Sequence, residues 1–207
     1  MGYILLHLLL MGKLTLKLHQ LQEILQSGSV SPDLKIANGL LTARRYRACM
    51  IRRVLLFGGL RVVSESEVAA AFRTRNSARL LSQLALAAPG SCVRDAISAS
   101  LWEGEAASVR RARLRYELSL VRRMLGEGGL VKSSLPDGVA LAPDVLTDIG
   151  QFWRLAEAGL SGRESCRDAA LALSDPGLLP GWNEPWVVEE RVRVGFERER
   201  LLALQDS

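Results

Sequence analysis

The stretch "SVRRARLRYELSLVRRML", residues 108–125, contains six arginines and a single carboxylate, Glu117. Four of its apolar residues recur at spacings of four, three and four positions: Leu114, Leu118, Val121 and Leu125. At about 100° per residue these four fall on one stripe of a helix, which can pack on a core. A solvated surface helix normally mixes both signs of charge, so that pairs form three or four residues apart. The stretch therefore predicts a helix that faces a polyanion, and an ordinary solvated face is the alternative.

The charge of the whole chain points to the same segment. The 207 residues include 27 Lys and Arg against 22 Asp and Glu, a formal net charge of +5. Residues 106–125 hold six Arg and one Glu, 6 − 1 = +5, which equals the excess of the whole chain. Hydrophobic residues make up 48% and charged residues 24%, a globular composition. A basic patch in an otherwise balanced chain indicates an acidic partner, of which nucleic acid is the commonest.

The cysteines and histidines argue against several classes of protein. Cys49, Cys92 and Cys166 lie far apart and form no C-x-x-C motif, which indicates reduced thiols of the cytoplasm rather than a disulfide scaffold or zinc site. His7 and His19 are the two histidines, so the body of the chain lacks a Ser/His/Asp or Cys/His set. Phosphate-binding and zinc-protease motifs are also missing from the sequence. We expect no enzyme activity, no catalytic residue, no metal and no cofactor.

Residues 1–49 differ from the rest of the chain. The apolar run "GYILLHLLLMG", residues 2–12, is too short to span a bilayer and lacks the flanks of a secretory signal. The segment 14–26 has the pattern of an amphipathic helix, and Met50 then opens a more regular pattern. Residues 1–49 are therefore predicted to be an N-terminal extension. It is either a loosely packed addition or a segment upstream of a translation start at Met50, and no membrane association is expected.

Two elements are predicted before the arginine-rich stretch. The sequence "RRVLLFGGLRVV", residues 52–63, alternates around a glycine pair and predicts a β-hairpin. The sequence "TRNSARLLSQLALAAPG", residues 74–90, predicts a helix with Thr74 or Asn76 as its cap and a stop at 89–90.

A second helix and a second hairpin complete the pattern. Ser91 can cap a helix over 92–102 whose Val93, Ile97 and Leu101 face inward: "CVRDAISASLW". A turn at 103–104 leads into the arginine-rich helix, which ends at Gly126, and residues 130–142 predict a hairpin around 136–138. Three helices, the third basic, between an N-terminal sheet and a C-terminal hairpin are the order of a winged helix.

These residues resemble a known family. Residues 73–126 resemble the DNA-binding domain of SARP-type bacterial regulators, whose winged helix is similar to the OmpR/PhoB type. The matching motifs are the pair Leu101-Trp102, "SLVRRML" at 119–125, and the wing residues 138–141, which read Gly-Val-Ala-Leu where the family usually has Gly-Tyr-x-Leu. The resemblance implies a winged-helix DNA-binding domain over 50–142.

The resemblance continues past the wing. Residues 146–159 resemble the opening of the family's bacterial transcriptional activator domain, and residues 178–204 resemble the segment that follows. The residues at the family's positions are Asp148, Phe152, Trp182, Trp186, Glu190 and Arg191. The resemblance implies that 143–207 is a truncated activator domain of tetratricopeptide-like helices, with the two tryptophans holding the last helix on the core. The implied fold class is mainly α with small β elements: a winged helix-turn-helix followed by a short tetratricopeptide-like helical segment.

Carried over by position, the resemblance implies a set of DNA-binding residues. One side of the arginine-rich helix is predicted to be exposed and to hold Ala112, Arg113, Tyr116, Ser119, Leu120 and Arg123. Arg113, Tyr116 and Arg122 would reach into the major groove, and Ser119 lies on the same face. Phosphate contacts would come mainly from Arg110, Arg111, Arg115, Arg123 and Lys132 of the wing. For Tyr116 a partly packed surface aromatic is the alternative.

The implied function is a cytoplasmic transcription regulator. Its expected partners are double-stranded DNA, RNA polymerase and a second copy of the chain bound weakly on DNA. Leu120 stands where the family commonly has Arg, and the chain ends early in the activator domain. These two departures favour the alternative, a helical protein-interaction module with a degenerate winged helix that no longer binds DNA.

Overall fold

The computed structural model of the chain describes residues 52–64, 67–68 and 72–205. The predictions for residues 1–49 lie outside the described residues. The described residues belong to one compact unit, Met50–Ser207. This unit is mainly helical with small β elements, as the sequence predicts. The division into a domain at 50–142 and another at 143–207 stays a prediction.

Helices and two small sheets alternate along the described residues. The helices are α1 (Arg75–Ala87), α2 (Arg94–Leu101), α3 (Ala107–Leu125), α4 (Asp148–Leu160), α5 (Glu164–Ser174) and α6 (Pro185–Ala203). The strands are β1 (Arg52–Leu55), β2 (Arg61–Ser64), β3 (Glu67–Val68), β4 (Cys92–Val93), β5 (Leu130–Lys132), β6 (Gly138–Leu141) and β7 (Val145–Thr147). One sheet has the strand order β3-β2-β1-β7, and the other has the order β4-β6-β5.

The first sheet contains the predicted hairpin and one strand from far along the chain. β1 and β2 are antiparallel, with Val54 opposite Val62, which confirms the hairpin. The connecting turn uses Gly58 and Gly59, whose φ angles of 72° and 111° favour glycine. β7 lies parallel to β1 on its other edge, with Thr147 opposite Val54. The chain therefore returns to its first strand after forming α1 to α3 and the second hairpin.

The start of α1 follows the sequence prediction. The Thr74 side chain accepts a hydrogen bond from the backbone N–H of Ser77, so Thr74 is the N-cap. The helix ends at Ala87, just before Pro89, as predicted.

The start of α2 does not follow the sequence prediction. Its N-cap is Val93, which supplies no side-chain cap, so the prediction of a Ser91 cap is wrong. Val93 is 38% exposed, so its predicted inward position is also wrong. Both differences arise from strand pairing. β4 forms backbone hydrogen bonds with β6, with Val93 opposite Gly138, and this pairing keeps Val93 in an extended conformation. Ile97 and Leu101 are buried as predicted.

The second hairpin forms as predicted. β5 and β6 are antiparallel, with Val131 opposite Ala140. In the turn, Asp137 has a φ of 52°, in the left-handed region that Asp tolerates better than most residues. A Cβ at Gly138 would lie 1.9 Å from the Ser133 hydroxyl oxygen and 3.1 Å from the Leu135 Cβ and carbonyl oxygen, so a side chain there would force the turn to shift. The predicted wing at 130–142 is therefore a real hairpin, joined on one side by β4.

One hydrophobic core runs through the described residues on both sides of position 142. It contains Leu80, Leu118 and Val121 together with Phe152 and Leu201, all nearly or fully inaccessible to solvent. After the second hairpin, β7, α4, α5 and α6 all contribute residues to this core, and α4 packs directly on α1.

Asp148 joins α4 to the first sheet. Its buried carboxylate accepts hydrogen bonds from the backbone N–H groups of Leu56 at 2.8 Å, Phe57 at 2.9 Å and Ile149 at 2.8 Å. Burial raises the pKa of the Asp148 carboxyl, although these backbone hydrogen bonds act in the opposite direction. Phe152, one turn later, is fully buried and contacts the Phe57 ring edge-on. Both residues are thus structural.

The beginning of α6 is fixed to α1. The carboxylate of Glu184, the N-cap of α6, is buried and lies 3.2 Å from Arg75 Nη2 and 3.2 Å from Arg79 Nε. Trp182 and Trp186 meet edge-on with their ring centroids 6.2 Å apart, and both pack against the core. The predicted role of the two tryptophans in holding the last helix is confirmed.

Candidate nucleic-acid interface

The basic helix α3 has one face in the core and one face in solvent. The predicted stripe of Leu114, Leu118, Val121 and Leu125 is at most 2% exposed. α1 and α2 cover this side of α3. On the opposite side Tyr116 is 54% exposed, and both its predicted contact with DNA and the alternative of a partly packed surface aromatic stay predictions. The helix therefore divides into a core face and a solvent face where the periodicity places them.

Leu120 corrects the sequence prediction. The helical period predicts Leu120 on the exposed side of the helix, but the residue is only 4% exposed to solvent. Both α1 and α2 pack on α3, so the buried arc is wider than a single stripe of leucines. A buried leucine at this position cannot contact DNA directly.

Glu117, the one carboxylate of α3, is buried and forms no ion pair with the arginines of the helix in the described residues. It is 6% exposed and accepts a hydrogen bond of 2.6 Å from the Thr74 hydroxyl. Thr74 is the N-cap of α1, so the carboxylate lies at the positive end of that helix. Glu117 therefore stabilises the packing of α1 on α3 and leaves the charge of the exposed face uncompensated.

Five of the six arginines of α3 have no carboxylate partner in the described residues, and four of these five lie on its exposed face. Arg113 alone among its six arginines forms an ion pair, with Glu105 in the turn before the helix. For the other five the described part of the chain supplies no carboxylate within ion-pair distance. These are Arg110, Arg111, Arg115, Arg122 and Arg123. All are exposed except Arg110, which is partly buried, so they repel one another unless counterions or a polyanion are present.

The arginines lie on three sectors of the helix surface. At about 100° per residue, Arg111, Arg115 and Arg122 fall on one flank of the exposed face. Arg123 lies in the middle with Tyr116, and Arg113 lies on the opposite flank. A broad basic surface of this kind suits a groove with phosphates on both sides. The division between base-contacting and phosphate-contacting residues stays a prediction.

The remaining predicted site residues are also accessible. Lys132 on β5 is exposed, and Ser119 is partly exposed with its hydroxyl donating to the Tyr116 carbonyl at 2.6 Å. The N-terminus of α3 has no side-chain cap, because its N-cap is Ala106. Its positive end therefore adds to the charge of Arg110 and Arg111.

A cleft lies beside the middle of α3. It has a volume of about 430 Å³ and is lined by Asn76, Trp102, Ala112, Arg113, Tyr116 and Glu117. Two of the predicted groove-reading residues, Arg113 and Tyr116, are thus neighbours at one opening. Sequence reasoning did not identify Glu105 as their companion. It stands eight positions before Arg113 across a turn, and no spacing rule relates residues across such a turn.

No helix in the described ranges is long and apolar enough to cross a membrane. No protein-family model matches the chain, and no curated protein matches it either.

Among solved structures the chain is similar to EmbR of Mycobacterium tuberculosis, determined in complex with a low-affinity phosphopeptide. The two share 23% sequence identity with a TM-score of 0.48, and the similarity covers 76% of this chain and 42% of that protein. The chain thus spans less than half the length of EmbR. The resemblance to SARP-type regulators stays a prediction.

Proposed function

We propose that this chain is a DNA-binding transcription regulator that places α3 in the major groove of double-stranded DNA, with the hairpin at 130–142 as its wing. The observation that carries the proposal is the exposed face of α3, where four arginines have no carboxylate partner in the described residues: Arg111, Arg115, Arg122 and Arg123. Like charges on such a face cost about 0.2–0.5 kcal/mol per neighbouring pair. Phosphates remove that cost and supply most of the binding free energy of non-specific protein–DNA complexes.

The packing of α3 supports the proposal. Its core stripe is fully buried against α1 and α2, so the helix is a rigid element that presents its arginines in a fixed pattern. Arginine suits this role because its planar guanidinium can bind a phosphate or the O6 and N7 atoms of guanine through two donors. Sequence recognition by Arg113, Tyr116 and Arg122 belongs to the same proposal.

The wider function follows from the resemblance described above. Regulation of transcription from the cytoplasm, contact with RNA polymerase and weak pairing of two copies on DNA are parts of the proposal. So is the assignment of 143–207 to an activator domain. Residues 1–49 are proposed to be dispensable for DNA binding.

A direct binding measurement tests the proposal. The full chain is titrated onto fluorescent genomic duplexes at several salt concentrations, and the anisotropy is recorded. Replacing Arg115 and Arg122 together by alanine should weaken binding strongly. Replacing Arg154 and Arg163, two exposed arginines outside α3, makes the same change in net charge and should leave binding nearly unchanged. If both pairs act alike, binding depends on net charge alone and α3 is not the interface.

One observation favours a second function, a protein-interaction module. Val192 and Phe196, one turn apart on α6, are 68% and 64% exposed. Exposed apolar neighbours of this size are typical of protein-binding surfaces. If the folded chain binds no duplex even at low salt, the interaction module becomes the better interpretation.

A further inference from the structure

Glu105 holds the side chain of Arg113 in the free protein. The Glu105 carboxylate accepts a hydrogen bond from Arg113 Nη1 and forms an ion pair with it. The other Glu105 oxygen, Oε2, is shielded from solvent and accepts no hydrogen bond from the described residues, so the carboxylate is fixed against the turn on that side. No other arginine of α3 has a carboxylate partner in the described ranges. Among the arginines of α3, Arg113 is therefore the one whose side chain is held by a carboxylate in the described residues.

The turn that carries Glu105 is firmly attached to the core. Trp102 is 7% exposed, and its carbonyl accepts a hydrogen bond of 3.3 Å from the Glu105 backbone N–H. Gly104 has a φ of 80°, which closes the turn in a conformation that other residues rarely adopt. Because Glu105 is positioned by this turn, the guanidinium of Arg113 is positioned as well.

The held guanidinium keeps a free edge. Glu105 occupies Nη1, and the described residues offer Arg113 no other acceptor, so Nε and Nη2 remain available as two parallel donors. The Arg113 side chain is 52% exposed. Two parallel donors on one edge are what a guanine base needs for recognition through O6 and N7. A guanidinium that is already fixed loses little rotamer freedom on binding, and its orientation is set before the base arrives.

We propose that Glu105 is a positioning residue that sets the base preference of the protein by holding Arg113 for a bidentate contact with one guanine. This inference rests on the proposed function of α3 as a DNA-reading helix. The carboxylate has a second effect in the same arrangement. It neutralises Arg113 and repels phosphates, so Arg113 is kept from making a sequence-independent backbone contact.

The two effects predict a specific result for Glu105→Gln in the full chain. The preferred duplex is first selected from a randomised library, and the dissociation constants are then measured on it and on duplexes that differ at single positions. We expect the preference at one guanine to fall by about 2- to 10-fold, the lower end of the range for residues coupled in one ion-pair network, because the Arg113 side chain is 52% exposed. Affinity for scrambled duplexes should rise, because a negative charge near the phosphates is gone.

Glu103→Gln is the matched control. Glu103 lies in the same turn, is exposed, and has no ion-pair partner in the described part of the chain. Glu103→Gln removes the same charge as Glu105→Gln, so it should raise affinity for all duplexes alike and leave the base preference unchanged. In an Arg113→Ala background, Glu105→Gln should cause no further loss of preference, because the side chain it positions is absent.

Several outcomes would overturn the inference. If Glu105→Gln weakens binding to preferred and scrambled duplexes in parallel, Glu105 only stabilises the turn. If it matches Glu103→Gln at every base, its charge acts without positioning Arg113. If the wild-type chain binds DNA with a clear salt dependence and Glu105→Gln gives either of these results, the proposed function stands and the inference about Glu105 is wrong. A wild-type chain that binds no duplex loses the proposed function itself.

Discussion

Arg123→Ala is the variant whose effect can be worked out most directly from the structure. Arg123 is exposed in the middle of the solvent face of α3 and has no carboxylate partner in the described residues. Each phosphate contact releases counterions and contributes about −0.9 to the slope of log affinity against log salt. The cations predicted to contact phosphate have no ion-pair partner in the described residues and are five in number: Arg110, Arg111, Arg115, Arg123 and Lys132. A slope of about −4.5 is therefore expected if all five take part, and Arg123→Ala should reduce its magnitude by about 0.9.

Arg113→Ala should behave in the opposite way. Glu105 already neutralises Arg113, which is predicted to contact a base and no phosphate. The salt slope should therefore hardly change, whereas binding to the preferred duplex should weaken by about 1–3 kcal/mol. The comparison separates the two kinds of contact within one helix, because the two variants remove the same charge.

The assay is a set of anisotropy titrations from about 50 to 200 mM salt, the interval over which counterion release changes affinity most visibly. Arg154→Ala on α4 is the control, since Arg154 is also exposed and lies outside α3. The reasoning is refuted if wild-type affinity does not depend on salt. It is equally refuted if Arg154→Ala reduces the slope as much as Arg123→Ala.

Three substitutions test the packing beneath the interface. Leu118→Ala should lower the free energy of unfolding in urea by about 2–5 kcal/mol, because it opens a cavity in the core face of α3, and a loss below about 1 kcal/mol would contradict that face. Thr74→Ala should cost about 2–4 kcal/mol, because it removes both the N-cap of α1 and the donor to buried Glu117, whereas Thr74→Ser should keep most of the stability. For Asp148, burial raises the pKa above its ordinary value of 3.8, so the folded state favours the protonated carboxyl. The stability of wild type relative to Asp148→Asn should therefore be greatest below pH 3.8 and decrease as the pH rises through the higher, folded-state pKa. A relative stability that increases over this interval in urea titrations would contradict the assigned sign.

The elements that could be predicted from the sequence follow local rules. The cap of α1 at Thr74 and the end of α3 before Gly126 depend on residues within one helical turn. The two hairpins depend on glycines in their own turns, and the core stripe of α3 depends on a period within the helix itself. The predictions of these features are correct because no contact with residues distant in the sequence changes the local conformation.

The elements that could not be predicted depend on partners distant in the sequence. Val93 is turned outward because β4 pairs with a strand that comes more than 40 residues later. Leu120 is buried because two helices cover α3. The Glu117 carboxylate accepts a hydrogen bond from Thr74, which lies 43 positions earlier in the sequence. In the candidate site, the sequence identified which residues are basic and exposed. It did not show that Glu105 holds one of them and leaves the others without a carboxylate.

The pairing of β7 with β1 has a consequence for how the chain is made. During synthesis β1 and β2 emerge early and can form their hairpin, but one edge of β1 then has no neighbour. The strand and the carboxylate that complete this edge arrive only with 145–148, and Asp148 lies 92 residues beyond its partner Leu56. Closing a loop of that length costs about 4 kcal/mol of chain entropy through its length dependence alone.

A nascent chain must therefore wait for most of this unit to leave the ribosome before its first strand is protected. Until then the open edge of β1 can pair with the same edge of another nascent chain. A premature stop between the wing and β7 would make that exposure permanent. Truncated products of this gene should accordingly accumulate as insoluble material, even though they contain the whole of the basic helix.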